Sequence, residues 1–407
     1  TVRGMGMADS VPRAAPGGGG LAALRDAPWI AGPRLRAYAV GAVSAYLALA
    51  VIAVMRGLWL LDEDGHPVPG DFIAYWSAAR MAAAGQAAAA YDWVTHHAAQ
   101  VSAIGRDFDG FFAWHNPPHF LLLLMPFAAL PYVPAWLLFS GISALAFAAV
   151  LSRILPLRGA WLLALASPAG FLCFIAGQLG FLIGALTGAA LHWLDRRPML
   201  AGASLALLTV KPQFGLLYPV LLVATGRWKV FAAATIATAL LAGGSALAFG
   251  PENWPAFLGS LTGDSLGVLL RGGSDWTKLQ SLYACFYLLT GWERLAMGLH
   301  GACALVVAGV VLWLWRRPVE EGVRNAAAVA GSFLITPYAY VYDGVMVVLA
   351  AGFLAQTMVA RGALPWERIL VCLSVFLPVT FFVTGSIATP AAMLMLLALC
   401  VRRALVR

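Results

Sequence analysis

The sequence predicts an all-α polytopic membrane protein that crosses the bilayer about 12 times. Of its 407 residues, 61% are hydrophobic and 11% are charged, whereas soluble domains contain about 25% charged residues. Apolar stretches close to 20 residues long recur along the chain, and a helix of about that length spans a bilayer. The alternating segments of roughly ten residues that build a transmembrane barrel are absent. These observations indicate a helical bundle.

The net charge of +8 indicates how the chain is oriented. Lys and Arg accumulate in cytoplasmic loops, and alternating spans bring every basic cluster to one side, namely 34–36, 153–158, 196–197, 227–229, 316–317 and 402–403. Both ends are therefore predicted to be cytoplasmic. No basic stretch with interleaved aromatic residues lies outside the apolar runs, so nucleic acid is not an expected partner.

The chain divides into a tail and one membrane domain. Residues 1–33 are rich in Gly, Ala, Pro and Arg and are predicted to form a disordered cytoplasmic tail, while 34–403 form the membrane domain. Large outer loops are predicted at about 61–117 and 250–292. The run 120–130 is too short to span a bilayer, so we expect a helix embedded in its outer half. The segments that are predicted to cross the membrane are 37–60, 133–152, 159–175, 178–193, 230–249, 295–315, 325–337, 343–360, 369–385 and 388–401, together with a short helical hairpin at 199–226.

The stretch from Gly70 to Arg80 lies in the first outer loop and begins with Asp71. A carboxylate at the membrane surface, followed by aromatic residues, can act as a general base toward a sugar hydroxyl. The alternative is a helix N-cap, a common role for Asp before a helix. Arg80 lies about 2.5 turns further along, on the opposite side of a regular helix. It is therefore either a surface or loop-bridging residue or a substrate ligand.

Four polar sets are expected at the outer membrane level: Asp71 with Arg80, His115 with His119, Gln178 with Lys211 and Gln213, and Tyr338 with Tyr342 and Asp343. Because ionisable groups at membrane depth are costly, they usually line a cavity. We therefore expect these sets to meet around one outer cavity.

Several of these residues have two interpretations. Lys211 either holds a phosphate or reaches from a broken helix to the interface. His115 and His119 either form hydrogen bonds within their loop or contact a sugar or phosphate. Two prolines between the histidines disfavour a regular helix, so no metal site is predicted. Asp343 is either an N-cap or part of the cavity wall.

Five motifs together carry a resemblance to a known family. They are Asp71-Phe72-x-x-Tyr75-Trp76-x-Ala78-Ala79 with Gly85 and Tyr91-Asp92; Asn116-Pro117-Pro118 with Pro126 and Leu130-Pro131; Gly177-Gln178; Ala201-Gly202 with Lys211-Pro212-Gln213; and Pro337-Tyr338 with Tyr342-Asp343. In their order and spacing, they resemble glycosyltransferase family 87. Its members are polyprenol-phosphate-dependent enzymes of the GT-C type, and they include mycobacterial α-1,2-mannosyltransferases that act on phosphatidylinositol mannosides. The resemblance covers about residues 35–400.

The resemblance implies a GT-C fold and an inverting hexosyltransferase of the bacterial inner membrane that needs no metal and no cofactor. Its donor would be a polyprenyl-phosphate sugar, most often mannose, and its acceptor a lipid or glycan on the extracytoplasmic side. Asp71 matches the catalytic base, and Lys211 matches a position suited to the donor phosphate. In the mechanism that we expect, Arg271 or Lys278 assists Lys211 in stabilising the leaving phosphate. Some mycobacterial relatives carry histidines after the position of Pro337, whereas this chain has Tyr342 and Asp343 nearby.

Two other classes remain open from the sequence. A transporter or lipid flippase commonly shows repeated halves and charges at the membrane midplane, but we find no clear internal repeat, and the charges lie at the outer level. A non-catalytic membrane assembly subunit would tolerate replacement of Asp71.

Overall fold

The computed structural model describes residues 20–30, 32–261 and 276–406, and within them it contains helices and no strand longer than an isolated bridge. This confirms the predicted all-α class. The first helices are α1 Gly20–Asp26, α2 Gly32–Met55, α3 Phe72–Ala83, α4 Trp93–Ile104, α5 Phe120–Ala128 and α6 Tyr132–Ile154. The middle helices are α7 Ala160–Leu165, α8 Pro168–Ala176, α9 Gly180–Trp193, α10 Pro198–Leu208, α11 Leu217–Ala224, α12 Trp228–Phe249 and α13 Asn253–Ser260. The last helices are α14 Leu282–Thr290, α15 Glu293–Trp315, α16 Glu321–Leu334, α17 Val345–Arg361, α18 Glu367–Phe376, α19 Phe381–Thr384 and α20 Ala388–Leu405.

Six helical segments of the described chain are long and apolar enough to cross a membrane: Arg34–Met55, Tyr132–Ile154, Trp228–Phe249, Glu293–Trp315, Val341–Arg361 and Glu367–Leu405. The first of them, in α2, is mostly exposed, and Ala39 is its one buried residue. Exposure of an apolar helix along its whole length is the arrangement expected of a helix surrounded by lipid. The protein is therefore an integral membrane protein.

The chain between these long helices is more broken than the sequence predicts. The predicted span 159–175 consists of two helices, α7 and α8, because Ser167 accepts a hydrogen bond from the Gly170 amide at 3.0 Å and Pro168 opens the second helix. Both features start a new helix rather than continue one. The predicted outer loop 61–117 contains helices α3 and α4.

Loops that are predicted to be cytoplasmic meet at one end of the bundle. Asp195, after α9, accepts hydrogen bonds from Arg227 at 2.9 Å and from Arg324 at 3.0 Å. Both guanidinium groups also lie over the Trp315 ring, at 5.4 and 5.5 Å from its centroid. Four separate segments are thus held together at this end, and none of their side chains lines the cavity described next.

Candidate active site

A cavity of about 380 Å³ lies where the loops before α3, α5 and α9 meet the turns that follow α10 and precede α17. The residues that were predicted from the sequence and that line it are Asp71, His115, Gln178, Lys211, Gln213, Lys278, Tyr338 and Tyr342. Its volume lies within the range of small-molecule sites. The structure thus brings members of all four polar sets to one cavity.

Three other predicted residues, Arg80, His119 and Asp343, do not line this cavity. Arg80 is exposed, and its guanidinium lies over the Trp76 ring at 4.9 Å. His119 is buried, with Nε2 at 3.0 Å from the Thr209 hydroxyl and its ring stacked on Trp254. Asp343 is buried behind the lining residues, and Arg271 lies outside the described residues.

Asp71 immediately precedes α3, but its side chain does not cap that helix. Its Oδ2 instead accepts a hydrogen bond from Gln178 Nε2 at 2.8 Å. Within the described residues, no hydrogen bond reaches Oδ1. Burial raises the pKa of Asp71 above its usual value, while the Gln178 hydrogen bond and the charges of Lys278 and Lys211 act in the opposite direction. A carboxylate with a raised pKa and one free oxygen has the properties of a general base.

Aromatic packing fixes the position of Asp71. The ring of Phe72 lies 6.5 Å from that of Trp136 in a stacked geometry, and the Gly70 amide donates to the Tyr132 hydroxyl at 3.0 Å. The Trp76 indole N–H donates to the Leu130 carbonyl, also at 3.0 Å. The first turn of α3 is thereby held against α6 and the end of α5. Phe72 and Trp76 therefore set the place of the carboxylate, and neither of them is among the residues that line the cavity.

Gln178 uses both ends of its amide within the protein. Its Oε1 accepts from the Tyr75 hydroxyl at 2.5 Å, while its Nε2 donates to Asp71. The preceding Gly177 ends α8 in the left-handed conformation, with φ at 69°. A methyl group at this glycine would lie 2.5 Å from Trp136 Nε1. The side chain that was predicted as a substrate ligand is therefore already engaged with Asp71.

Lys211 and Asp343 form a buried ion pair. Lys211 Nζ lies 2.6 and 2.8 Å from the two carboxylate oxygens, and the side chains are 11% and 0% exposed. Asp343 Oδ2 also accepts from the Tyr340 amide at 2.9 Å. The pair joins the turn after α10 to the turn before α17. Asp343 thus neutralises the charge of the lysine that was predicted to hold the donor phosphate.

Lys278 is the exposed lysine of the cavity wall and follows Trp276 and Thr277 in a short 3-10 turn. Within the residues that the structure describes, it has no carboxylate partner at ion-pair distance. Its charge acts on Asp71 and opposes the rise in pKa that burial causes in that carboxyl group. Lys278 is consequently better placed than Lys211 to neutralise an anionic substrate.

In the part of the chain that the structure describes, neither His115 nor His119 belongs to a group with the geometry of a metal site. Burial lowers the pKa of His115 to about 4, so that its ring is neutral near pH 7. Among the described residues, one group has the geometry of a metal site, Asp62 with Asp64 and His66. It lies outside the cavity, and Asp62 is paired with Arg106 at 2.8 Å.

Two further lining residues, Tyr75 and Asn116, belong to the sequence motifs and position other parts of the site. Tyr75 orients Gln178, as described above, and Asn116 Nδ2 donates to the Val210 carbonyl at 2.9 Å. The Asn116 carbonyl in turn accepts from the Tyr91 hydroxyl at 2.8 Å. Asn116 therefore ties the segment before α5 to the turn that carries Lys211. The position of Tyr75 and Asn116 in the motifs was the signal in the sequence that could have indicated these roles.

Comparison with known proteins gives one finding. No curated protein and no solved structure matches the chain. The model of glycosyltransferase family 87 matches residues 114–337. The match covers more than half of the chain and includes His115, Gln178, Lys211 and Lys278, whereas Asp71 precedes it. The chain therefore belongs to glycosyltransferase family 87.

Proposed function

We propose that this membrane glycosyltransferase transfers a hexose, by resemblance mannose, from a polyprenyl-phosphate donor to a lipid or glycan acceptor, with inversion at the anomeric carbon. One observation carries the proposal: a partly buried carboxylate, Asp71, and an exposed ammonium group, Lys278, line the same cavity. A hydroxyl nucleophile needs a base, and a departing phosphate needs a cation.

We further propose that this cavity faces the extracytoplasmic side of a bacterial inner membrane. The basic loops around Asp195 are predicted to be cytoplasmic, and none of their residues lines the cavity. As part of this proposal, residues 34–403 form a GT-C membrane domain that crosses the membrane about 12 times and has large outer loops at about 61–117 and 250–292. The proposal also includes the cytoplasmic tail over 1–33.

The reaction that we propose is a single displacement. Asp71 Oδ1 takes the proton of the acceptor hydroxyl while the acceptor oxygen forms a bond to the anomeric carbon of the donor sugar. The bond between this carbon and the phosphate oxygen breaks, and the lipid phosphate leaves with the electron pair. Attack from the face opposite the phosphate inverts the configuration.

The ammonium groups supply the charge that the leaving phosphate requires. Lys278 neutralises the phosphate directly, while Lys211 at the cavity wall remains paired with Asp343. A positioned cation at the leaving oxygen stabilises the charge that develops in the transition state. This arrangement accounts for the proposed independence from metal ions and from other cofactors.

The test is a transfer assay with purified protein in detergent. The donor is polyprenyl-phosphate mannose with a labelled sugar, and the acceptor is a lipid extract from the source cells. We expect the label to move into a new product at a rate that EDTA does not change. If mannose, glucose and arabinose donors all give no product, the proposal is refuted, and transport of the lipid-linked sugar becomes the function to measure.

A further inference from the structure

A hydrogen-bonded chain of three side chains ends at the proposed base. The Tyr75 hydroxyl donates to Gln178 Oε1 at 2.5 Å, and Gln178 Nε2 donates to Asp71 Oδ2 at 2.8 Å. Tyr75 and Gln178 are buried, and Asp71 is partly buried. Asp71 immediately precedes α3, Tyr75 lies within it, and Gln178 lies in the turn between α8 and α9, which is distant in the sequence. The chain therefore connects the helix that carries the base to a second structural element.

Chemistry fixes the direction of this chain. An ionised carboxylate only accepts hydrogen bonds, so the amide end that faces Asp71 must be the NH₂ group. The opposite end is then a carbonyl oxygen, and the Tyr75 hydroxyl supplies the proton that it accepts. The Leu179 amide lies 3.4 Å from the same oxygen and donates to it. Gln178 therefore has one favourable orientation, which places a donor on the ionised form of Asp71.

The backbone around Gln178 supports the same orientation. The Gln178 carbonyl accepts from the Cys173 thiol at 3.3 Å, and its amide N–H donates to the Cys173 carbonyl at 3.1 Å. Gly177, in the left-handed conformation, turns the chain at the end of α8. Because the main chain is held on both sides, the side chain is aimed at Asp71 before any substrate arrives.

We infer that Gln178 is a positioning residue, which holds Asp71 through Oδ2 and thereby leaves Oδ1 to accept the proton of the acceptor hydroxyl. This inference rests on the proposed function of Asp71 as the base. One donor on one oxygen divides the carboxylate into an anchored atom and a reactive atom. Tyr75 acts one step further away by preventing the amide of Gln178 from turning its oxygen toward Asp71.

The inference predicts a change in the titration of Asp71. A hydrogen bond to the charged form of a carboxylate lowers its pKa, so its loss raises the pKa. Gln178→Met keeps the length of the side chain and removes the donor. We expect the midpoint of Asp71 protonation to rise by about one pH unit, which corresponds to about a tenfold change in the protonation equilibrium. Tyr75→Phe should raise it in the same direction by less.

The experiment measures this midpoint in two independent ways. Infrared difference spectra against Asp71→Asn isolate the carboxyl band of Asp71, which is titrated in the wild type, Gln178→Met and Tyr75→Phe. The acidic limb of the pH profile for kcat is recorded on the same preparations. Gln86→Met, an exposed residue beyond α3, is the matched control and should leave both quantities unchanged.

The outcomes separate the inference from the proposed function. A rise of both midpoints in Gln178→Met supports the inference, whereas lower activity with both midpoints unchanged indicates a merely structural residue and overturns it. If Gln178→Met does not fold, an unchanged midpoint in Tyr75→Phe overturns it equally. If the wild type transfers no sugar, the proposed function fails, and the infrared midpoint still decides whether Gln178 controls Asp71.

Discussion

The buried pair of Lys211 and Asp343 gives a prediction whose size follows from the structure. Lys211→Met removes the ammonium group and leaves the Asp343 carboxylate, which is 0% exposed, with the Tyr340 amide as its one remaining donor among the described residues. Breaking a buried ion pair by removing one partner costs about 3–5 kcal/mol, because the remaining charge is uncompensated. Both partners are nearly or fully buried, so we expect a loss of about 3–5 kcal/mol in the free energy of unfolding for Lys211→Met.

The assay is denaturant unfolding in detergent, followed by tryptophan fluorescence. The double variant Lys211→Met with Asp343→Asn removes both charges, and the asparagine oxygen can still accept from the Tyr340 amide. It should recover most of the lost stability, so that a double-mutant cycle gives a large coupling. Lys278→Met is the matched control and should unfold like the wild type. If Lys211→Met also unfolds like the wild type, Lys211 is a free substrate ligand and the interpretation of the pair is refuted.

Three further predictions concern the cavity and its support. Lys278→Met should lower kcat/KM for the donor by about 10- to 100-fold, the worth of a hydrogen bond to a charged group, and an unchanged value would remove Lys278 from phosphate binding. Burial lowers the pKa of His96 to about 3 and of His115 to about 4. Because these two rings take up protons less readily in the folded state than in the unfolded state, the stability that is present above pH ~6.5 should be lost as the pH falls toward 4. Denaturant midpoints at successive pH values measure this loss, and a flat profile would contradict it. Gly177→Ala should lower the free energy of unfolding by about 1–2 kcal/mol because of its left-handed backbone, and by more because of the contact with Trp136. Gly105→Ala, with φ at 87° and open space around it, should show only the backbone cost. Equal losses of stability in thermal unfolding would contradict the steric argument.

The fold class could be predicted from the sequence because long apolar runs report directly on the membrane. The positions at which a helix breaks within such a run could not be read from the sequence in the same way. The predicted span 159–175 is divided at Ser167, whose capping bond to Gly170 depends on a conformation that an apolar run conceals. Most of the predicted site residues line one cavity, since polar groups between apolar runs collect in cavities.

Their roles could not be predicted, because each depends on a partner that is distant in the chain. Lys211 was predicted as a phosphate ligand, but it lies 132 residues before its ion-pair partner, Asp343. Gln178 was predicted as a substrate ligand, but its amide is engaged with Asp71, 107 residues earlier. Arg80 was placed on the far side of the helix by its spacing, and the structure has it exposed beside Trp76.

The measurement that tests the central proposal most directly is the transfer rate of Asp71→Asn. Asparagine keeps the shape of the side chain and can accept from Gln178, but it cannot take a proton from the acceptor hydroxyl. We predict a decrease in kcat of about 10²- to 10⁴-fold, with an unchanged unfolding midpoint. Asp64→Asn, at an exposed residue of the segment before α3, should keep the wild-type rate. Wild-type activity of folded Asp71→Asn would contradict the assignment of Asp71 as the general base.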